Sequence, residues 1–145
     1  GIVRGSKKDI EQLCKWTKKG KPWAMGMLAD RYRDGIGVKQ SDTKTIELYE
    51  MAAKRGNATA QYMLGGCYQQ GTFGLTQSSK IAFEYYTLAA EQGVAEAQFN
   101  LGVSYYQGQD VEQSYSKARK WWTKAAAQGI KEAIDALKKL DRVGF

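Results

Sequence analysis

The feature that most constrains the fold of this chain is an internal repeat with a period of 36 or 37 residues. Three blocks span residues 24–56, 60–93 and 97–129, and small, apolar and aromatic residues coincide at fixed offsets within them. A repeat of this length is typical of solenoids, in which each unit buries its apolar face only against its neighbours. The equivalent positions include Ala24, Ala60 and Ala97; Leu28, Leu64 and Leu101; Tyr32, Tyr68 and Tyr105; Gly35, Gly71 and Gly108; and Gly56, Gly93 and Gly129.

Each block predicts a pair of helices. In its first half, Ala, Leu and Tyr recur at every fourth residue and form one helical stripe, and the Gly that follows suits a left-handed C-cap. A loop then leads to an aligned serine, which is Ser41, Ser78 or Ser114 in the three blocks. We expect this serine to cap the second helix, whose core positions hold an aromatic residue and an Ala-Ala pair.

The repeat pattern continues beyond the three blocks. Residues 9–19 fit an unpaired second helix, and residues 131–142 fit a first helix in which Asp141 replaces the tyrosine. The sequence therefore predicts an all-α fold, an α-solenoid in which antiparallel helix pairs form a right-handed superhelix of about eight helices. We expect a single solenoid domain over residues 9–142, an N-terminal tail over residues 1–8 and a C-terminal tail over residues 143–145.

The repeated residues also resemble a known family, the Sel1-like repeat (SLR), which is related to the tetratricopeptide repeat. The resemblance covers about residues 9–142, with departures such as Ala29 in place of a glycine and Asp110 in place of a loop glycine. It implies an adaptor that binds a peptide or a partner protein on the concave face of the solenoid. The best match, residues 97–129, carries Leu101-Gly102, Tyr105, Gly108, Lys117-Ala118, Trp121-Trp122, Ala125-Ala126 and Gly129.

Composition excludes much catalytic chemistry. The chain has no histidine, so it has no Ser-His-Asp triad, no Cys-His dyad and no histidine-bound metal. Its two cysteines, Cys14 and Cys67, have no CxxC spacing and are expected to be buried free thiols. We therefore predict that the chain is not an enzyme and has no catalytic, metal-binding or cofactor-binding residues, no cofactor and no small-molecule substrate.

A second stripe on the first helices predicts a partner-binding surface. A helix that is only solvated on its outer side would be charged there, yet this stripe carries several aromatic residues. We expect the rings to anchor a protein or peptide partner and the polar side chains to bond its backbone. The predicted partner-binding residues are Trp23, Arg33, Tyr62, Gln69, Phe99, Asn100 and Tyr106.

The same stripe has a second interpretation that is purely structural. The aromatic residues could pack neighbouring first helices together, and Trp23 could pack against the helix before it. On the last helix, the stripe holds charged residues, namely Glu132, Asp135, Lys139 and Arg142.

The net charge of +7 raises the alternative of a nucleic acid or another anionic surface as the partner. The basic residues lie toward the ends: residues 1–21 hold seven basic and two acidic side chains, and residues 115–145 hold eight and three. A continuous basic track for a phosphate backbone is therefore disfavoured. A regulatory subunit that activates a partner enzyme is the other alternative.

Cellular location is only weakly constrained. No apolar stretch approaches the length of a membrane helix, and the N-terminal residues lack the apolar core of a signal peptide. These observations favour the cytoplasm. The chain begins with Gly1 and not with Met, which is compatible with a piece of a longer protein, and the sequence leaves its oligomeric state open.

Overall fold

The computed structural model describes residues 1–144, which form eight α-helices and contain no strand. The all-α prediction is confirmed. The C-terminal tail expected over residues 143–145 includes residue 145, which lies outside the described residues. The helices are α1 (Lys7–Lys18), α2 (Pro22–Asp34), α3 (Asp42–Lys54), α4 (Ala58–Gln70), α5 (Ser79–Glu91), α6 (Ala95–Gln107), α7 (Tyr115–Ala127) and α8 (Lys131–Arg142).

The chain divides into two compact units. The first unit, residues 1–77, contains α1 to α4, and the second unit, which begins at Ser78, contains α5 to α8. Within each unit, every helix packs on the next one along the chain. In the second unit, Gln98 at the start of α6 bonds Gln128 just after α7, and Tyr106 at the end of α6 contacts Tyr115 at the start of α7. These contacts show that α6 and α7 are antiparallel.

The helix ends follow the caps that the repeat predicts. The Ser41 hydroxyl accepts a hydrogen bond from the Lys44 N–H at 3.2 Å, and the serines that precede α5 and α7 cap those helices in the same way. α2 ends at Gly35 in the left-handed conformation, as α4 and α6 end at their own glycines. Both expectations are confirmed, and these caps satisfy backbone groups that a helix end leaves unbonded.

A buried glutamine at the start of α4 and of α6 joins consecutive helices. The Gln61 amide donates to the carbonyl of Ala53 at 3.3 Å, and the Gln98 amide donates to the carbonyl of Ala90 at 3.2 Å. Each carbonyl belongs to the last turn of the preceding helix, where it has no partner inside its own helix. The two glutamines therefore fix the turns between α3 and α4 and between α5 and α6.

The loop after each first helix keeps a positive φ two residues beyond its C-cap glycine although the residue there changes. Gly37, Phe73 and Asp110 stand at the same position of the repeat and all have positive φ, at 79°, 55° and 62°. Glycine adopts this left-handed region without a steric penalty, whereas other residues enter it at a cost. This backbone angle is thus kept where the sequence departs from glycine, although the second loop is longer and has a further positive φ at Gly74.

The N-terminal tail predicted over residues 1–8 overlaps the first residues of α1. α1 begins at Lys7, and the residues before it pack on the loop that follows α2. A Cβ placed on Gly37 would lie 2.3 Å from the carbonyl oxygen of Gly5, so the two backbones touch. This contact has no counterpart in the repeats, which is why the repeat pattern did not predict it.

A buried ion pair joins α1 to α2. Arg31 donates from Nε to the Asp9 carboxylate at 2.9 Å, and both side chains are buried. The same carboxylate accepts the Gly5 N–H at 2.7 Å. The hydrogen bond from Arg31, followed by the one from Gly5, lowers the pKa of Asp9 below its ordinary value of 3.8.

Both cysteines are free thiols. Cys67 is buried, and burial raises the pKa of its thiol. Cys14 is only half-buried against the cluster around Leu13 and Leu28, so the expectation of a buried thiol is right for Cys67 alone. Across residues 1–144, no helix has the length and apolar character that crossing a membrane requires.

Candidate partner-binding site

A groove of about 690 Å³ opens on the second unit between α6 and α8. Its floor combines an aromatic residue of α7 with apolar residues of both flanking helices, and its edge carries charged residues of α8. We call it the α6–α8 groove. The residues that form its floor are Phe99, Val103, Trp122, Ala136 and Leu140, and Tyr106 lines the groove beside them.

Trp122 fixes the floor of the α6–α8 groove. Only 4% of its surface is exposed, and its indole N–H donates to the carbonyl oxygen of Phe99 at 3.1 Å. The ring lies so close to α6 that a Cβ on Gly102 would fall 2.3 Å from it. A buried tryptophan needs a partner for its N–H, and here the backbone supplies it. The ring therefore has a defined position before any ligand binds.

Tyr106 is the exposed aromatic ring at this groove. It is 42% exposed, and its ring centre lies 5.6 Å from that of Trp122 and 5.3 Å from that of Tyr115. Phe99 is more deeply placed, because it is half-buried and stacks on Trp122 with ring centres 6.4 Å apart. The structure thus brings two predicted site residues, Phe99 and Tyr106, to one groove.

Charged side chains of α8 line the edge of the groove. Glu132 and Asp135 lie toward the start of α8, whereas Lys139 and Arg142 lie toward its end. All four are exposed, and the ion pairs formed among residues 1–144 include none of them. Their charges are therefore available to a ligand.

The predicted site residues on α2 are engaged inside the first unit. Trp23 is 48% exposed, but its ring centre lies 6.1 Å from that of Trp16 on α1, as the packing interpretation expects. Arg33 donates from Nη1 to the Tyr49 hydroxyl at 2.9 Å and from Nε and Nη2 to Asp34 at 3.0 and 3.1 Å. Its guanidinium is thus occupied by this chain's own groups.

A polar network around Arg33 links α2 to α3 by hydrogen bonds. The Tyr49 hydroxyl donates to the Asp30 carboxylate, and burial, together with that hydrogen bond, raises the pKa of Tyr49. The hydrogen bond from Arg33 lowers the pKa of Asp34. Both carboxylates pair with Arg33 within α2, and the hydrogen bonds that Tyr49 forms with Asp30 and Arg33 join α2 to α3. Within residues 1–144, no group of Cys, Asp or Glu side chains is arranged to hold a metal ion.

The remaining predicted residues lie apart from the groove. Tyr62 and Gln69 are half-buried on α4, in the first unit. Asn100 is half-buried on α6, where its carbonyl oxygen accepts the Ser104 hydroxyl at 3.2 Å, and it is not among the residues that line the groove. A binding role for these three residues stays a prediction.

Sequence reasoning missed part of the groove. Trp122 aligns with core residues of the other repeats and was expected in the core, yet its ring also floors the groove. The outer stripe of α8 holds four charged residues, and the predicted site residues include none of them. Their helical positions, equivalent to those of Phe99, Val103 and Tyr106, were the available signal.

Comparisons with known proteins agree with the helical repeat. The sequence profile of the Sel1 repeat matches residues 24–57, 58–94 and 95–130, which together are well over half of the chain. The chain belongs to the Sel1 repeat family. No curated protein sequence matches it significantly.

Solved Sel1 repeat structures resemble the chain closely. A Sel1 repeat protein from Oxalobacter formigenes is 34% identical, with a TM-score of 0.87 over 91% of this chain and 98% of that one. A protective antigen of uropathogenic Escherichia coli with an SLR fold is 30% identical, with a TM-score of 0.83 over 90% of this chain and 28% of that one. Cysteine-rich protein B of Helicobacter pylori, at 21% identity and a TM-score of 0.66, shares the fold. The predicted α-solenoid class is confirmed.

Proposed function

We propose that this Sel1 repeat chain is a non-enzymatic protein-interaction module that binds a short segment of a partner protein in the α6–α8 groove. The observation that carries the proposal is Tyr106, an exposed ring held in place by Trp122 and Tyr115 beside an apolar floor. Aromatic residues held in this way are enriched among the few residues that supply most of the binding energy at protein interfaces.

Three further features support a peptide as the ligand. The volume of the groove, about 690 Å³, lies within the range of about 300 to 1,000 Å³ typical of small-molecule pockets, so it has room for an anchoring side chain of a peptide. The floor is fixed by the hydrogen bond and the close packing of Trp122, so little ordering is needed on binding. Sel1 repeat proteins also generally serve as non-enzymatic scaffolds for protein interactions.

The proposal is tested with peptides selected from a displayed random library against the full chain. For the selected peptides, we expect Tyr106→Ala to weaken binding at least about tenfold, the loss expected for a residue of this kind. The melting temperature should fall only modestly, because 42% of the Tyr106 surface is exposed and the rest contacts Tyr115 and Trp122 at the edge of the helix pair. Isothermal titration calorimetry and thermal unfolding measure the two quantities.

Two matched variants locate the site. Trp23→Ala removes an aromatic ring of similar exposure from the first unit, and Leu88→Ala removes an exposed apolar side chain from α5, which does not line the groove. We expect both variants to bind the selected peptides as the wild type does. If Trp23→Ala abolishes binding and Tyr106→Ala does not, the site lies on the first unit and the proposal is wrong.

A further inference from the structure

The α6–α8 groove has a direction that is set by charge. Arg119 near the start of α7 pairs with Asp141 near the end of α8 at 2.9 Å, so α8 is antiparallel to α7 and runs in the same direction as α6. The carboxylates of Glu132 and Asp135 therefore lie at the end of the groove near Phe99. The cations of Lys139 and Arg142 lie at the opposite end, near Tyr106.

These charges are not neutralised by one another. Asp135 and Lys139 stand one helical turn apart, a spacing at which opposite charges often pair, yet they form no ion pair. Within residues 1–144, the ion pair that involves α8 is the one between Arg119 and Asp141, and neither residue is one of these four. The groove thus combines an apolar centre, a negative end and a positive end.

We infer that the partner segment is dipolar: an aromatic or aliphatic side chain enters the groove, with a basic residue on one side of it and an acidic residue on the other. This inference rests on the proposed function, because it assigns a chemistry to the occupant of the same groove. A uniformly basic or uniformly acidic segment would place a like charge at one end, which lowers affinity and serves to reject wrong partners.

The geometry also sets the spacing of the two charges in the partner. Glu132 and Arg142 are separated by about 15 Å along α8 at the rise of an α-helix. An extended chain covers that distance in about four or five residues. The expected segment therefore carries its basic and acidic residues about four residues apart, with the apolar anchor between them.

The probe is the pool of random-library peptides whose binding depends on Tyr106. We expect this pool to be enriched in peptides with one basic and one acidic residue that flank an aromatic or aliphatic residue. Synthetic end-capped representatives should bind about tenfold more tightly than versions in which both charges are basic or both are acidic. Raising the salt concentration should weaken the dipolar peptides and leave uncharged versions nearly unaffected.

A charge-reversal variant of the protein provides the decisive test. The double variant Lys139→Glu and Arg142→Glu makes both ends of the groove negative, so its preference should shift to doubly basic peptides. The control double variant Lys120→Glu and Lys124→Glu changes the net charge equally on α7, away from the residues that line the groove, and should keep the dipolar preference.

The outcomes separate this inference from the proposed function. If peptides depend on Tyr106 but show no charge preference, or keep the same preference after reversal of Lys139 and Arg142, the dipolar inference is wrong while the groove remains the binding site. If no selected peptide depends on Tyr106, the proposed function is wrong and the inference fails with it.

Discussion

The two helix pairs α2–α3 and α6–α7 use equivalent positions for different purposes. In the first unit, the outer stripe of α2 forms ion pairs and hydrogen bonds with the chain itself. In the second unit, the stripe of α6 forms an apolar floor with an exposed ring. Equivalent positions of the repeat can therefore hold one helix pair together by polar contacts and form an open groove at another. The equivalent residues are Gly26, Asp30 and Arg33 on α2 and Phe99, Val103 and Tyr106 on α6.

The polar group of the buried aromatic residue differs between the two pairs. Tyr49 and Trp122 stand at the same position of their repeats, and each needs a partner for its hydroxyl or indole N–H. Tyr49 bonds the side chains of Asp30 and Arg33, whereas Trp122 bonds the backbone of Phe99. Because the backbone satisfies Trp122, the side chains of α6 are free to be apolar.

The first unit should depend most strongly on its buried ion pair. Replacing Asp9 by Asn leaves the Arg31 guanidinium buried without its counter-charge, and we expect a loss of about 3 to 5 kcal/mol in the free energy of unfolding. The control Asp34→Asn removes a more exposed carboxylate and should cost much less, because water screens its ion pair. Urea denaturation measures both, and equal losses would show that burial of the pair is unimportant.

The same pair predicts an acid dependence. Since the pKa of Asp9 is lowered in the folded state, its contribution is fully present above the ordinary carboxyl pKa of 3.8. It is lost as the pH falls below that value, because the Asp9 carboxylate then binds a proton more readily in the unfolded chain than in the folded one. The free energy of unfolding of the wild type should fall in acid, and the Asp9→Asn variant should show a shallower fall below pH 3.8. Parallel slopes would contradict the assignment.

The second unit should depend on the close approach of Trp122 to α6. A methyl group at Gly102 would overlap the indole ring, so we expect Gly102→Ala to cost about 1 to 3 kcal/mol despite the better helix propensity of alanine. On α2, a Cβ at Gly26 meets no atom within 4 Å, and Gly26→Ala should stabilise the chain by about 0.5 to 1 kcal/mol. Thermal unfolding should show a lower melting temperature for Gly102→Ala and a higher one for Gly26→Ala. Shifts of the same sign in both variants would contradict the comparison.

The hydroxyl of Tyr49 provides a smaller test. Tyr49→Phe removes its bonds to Asp30 and Arg33 and should cost about 1 to 2 kcal/mol of stability. Tyr106→Phe removes an exposed hydroxyl on α6 and should change stability by less than about 0.5 kcal/mol. If chemical denaturation shows the same loss in the free energy of unfolding for both variants, the polar network does not stabilise the packing of α2 on α3.

Thr17 offers the smallest effect. Among the described residues, its buried hydroxyl has no hydrogen-bond partner, and the repeats have alanine at this position. Thr17→Ala should raise the free energy of unfolding by about 0.5 to 1 kcal/mol, because it removes an unsatisfied buried group. Thr87→Ala in the second unit deletes a hydroxyl that bonds the Phe83 carbonyl at 2.7 Å and should gain less. A larger gain at Thr87 would contradict this account.

The repetitive part of the fold could be predicted from the sequence because each signal occurs several times. The capping serines and the C-cap glycines recur at fixed offsets, and each cap acts within a few residues of its helix. The junction of Gly5 with Gly37 and the pair of Asp9 with Arg31 occur once, between residues distant in sequence. No local pattern reports such contacts, so they required the structure.

The candidate site was only partly predictable for a related reason. Helical geometry placed Tyr106 and the charged residues of α8 on the outer stripe, but it could not show that α8 completes a groove with α6. Nor could it show that Trp122 lies above Gly102 and reaches that groove.

Amide chemical-shift mapping of the isotope-labelled full chain, with a selected peptide, tests the central claim most directly. We predict that the largest shifts occur on α6 and α8 around the groove, at Phe99, Tyr106, Ala136 and Val143, and that α2 changes little. If the largest shifts instead occur around Trp23 and Arg33, the result contradicts the claim that α2 only stabilises the fold while α6 binds the partner.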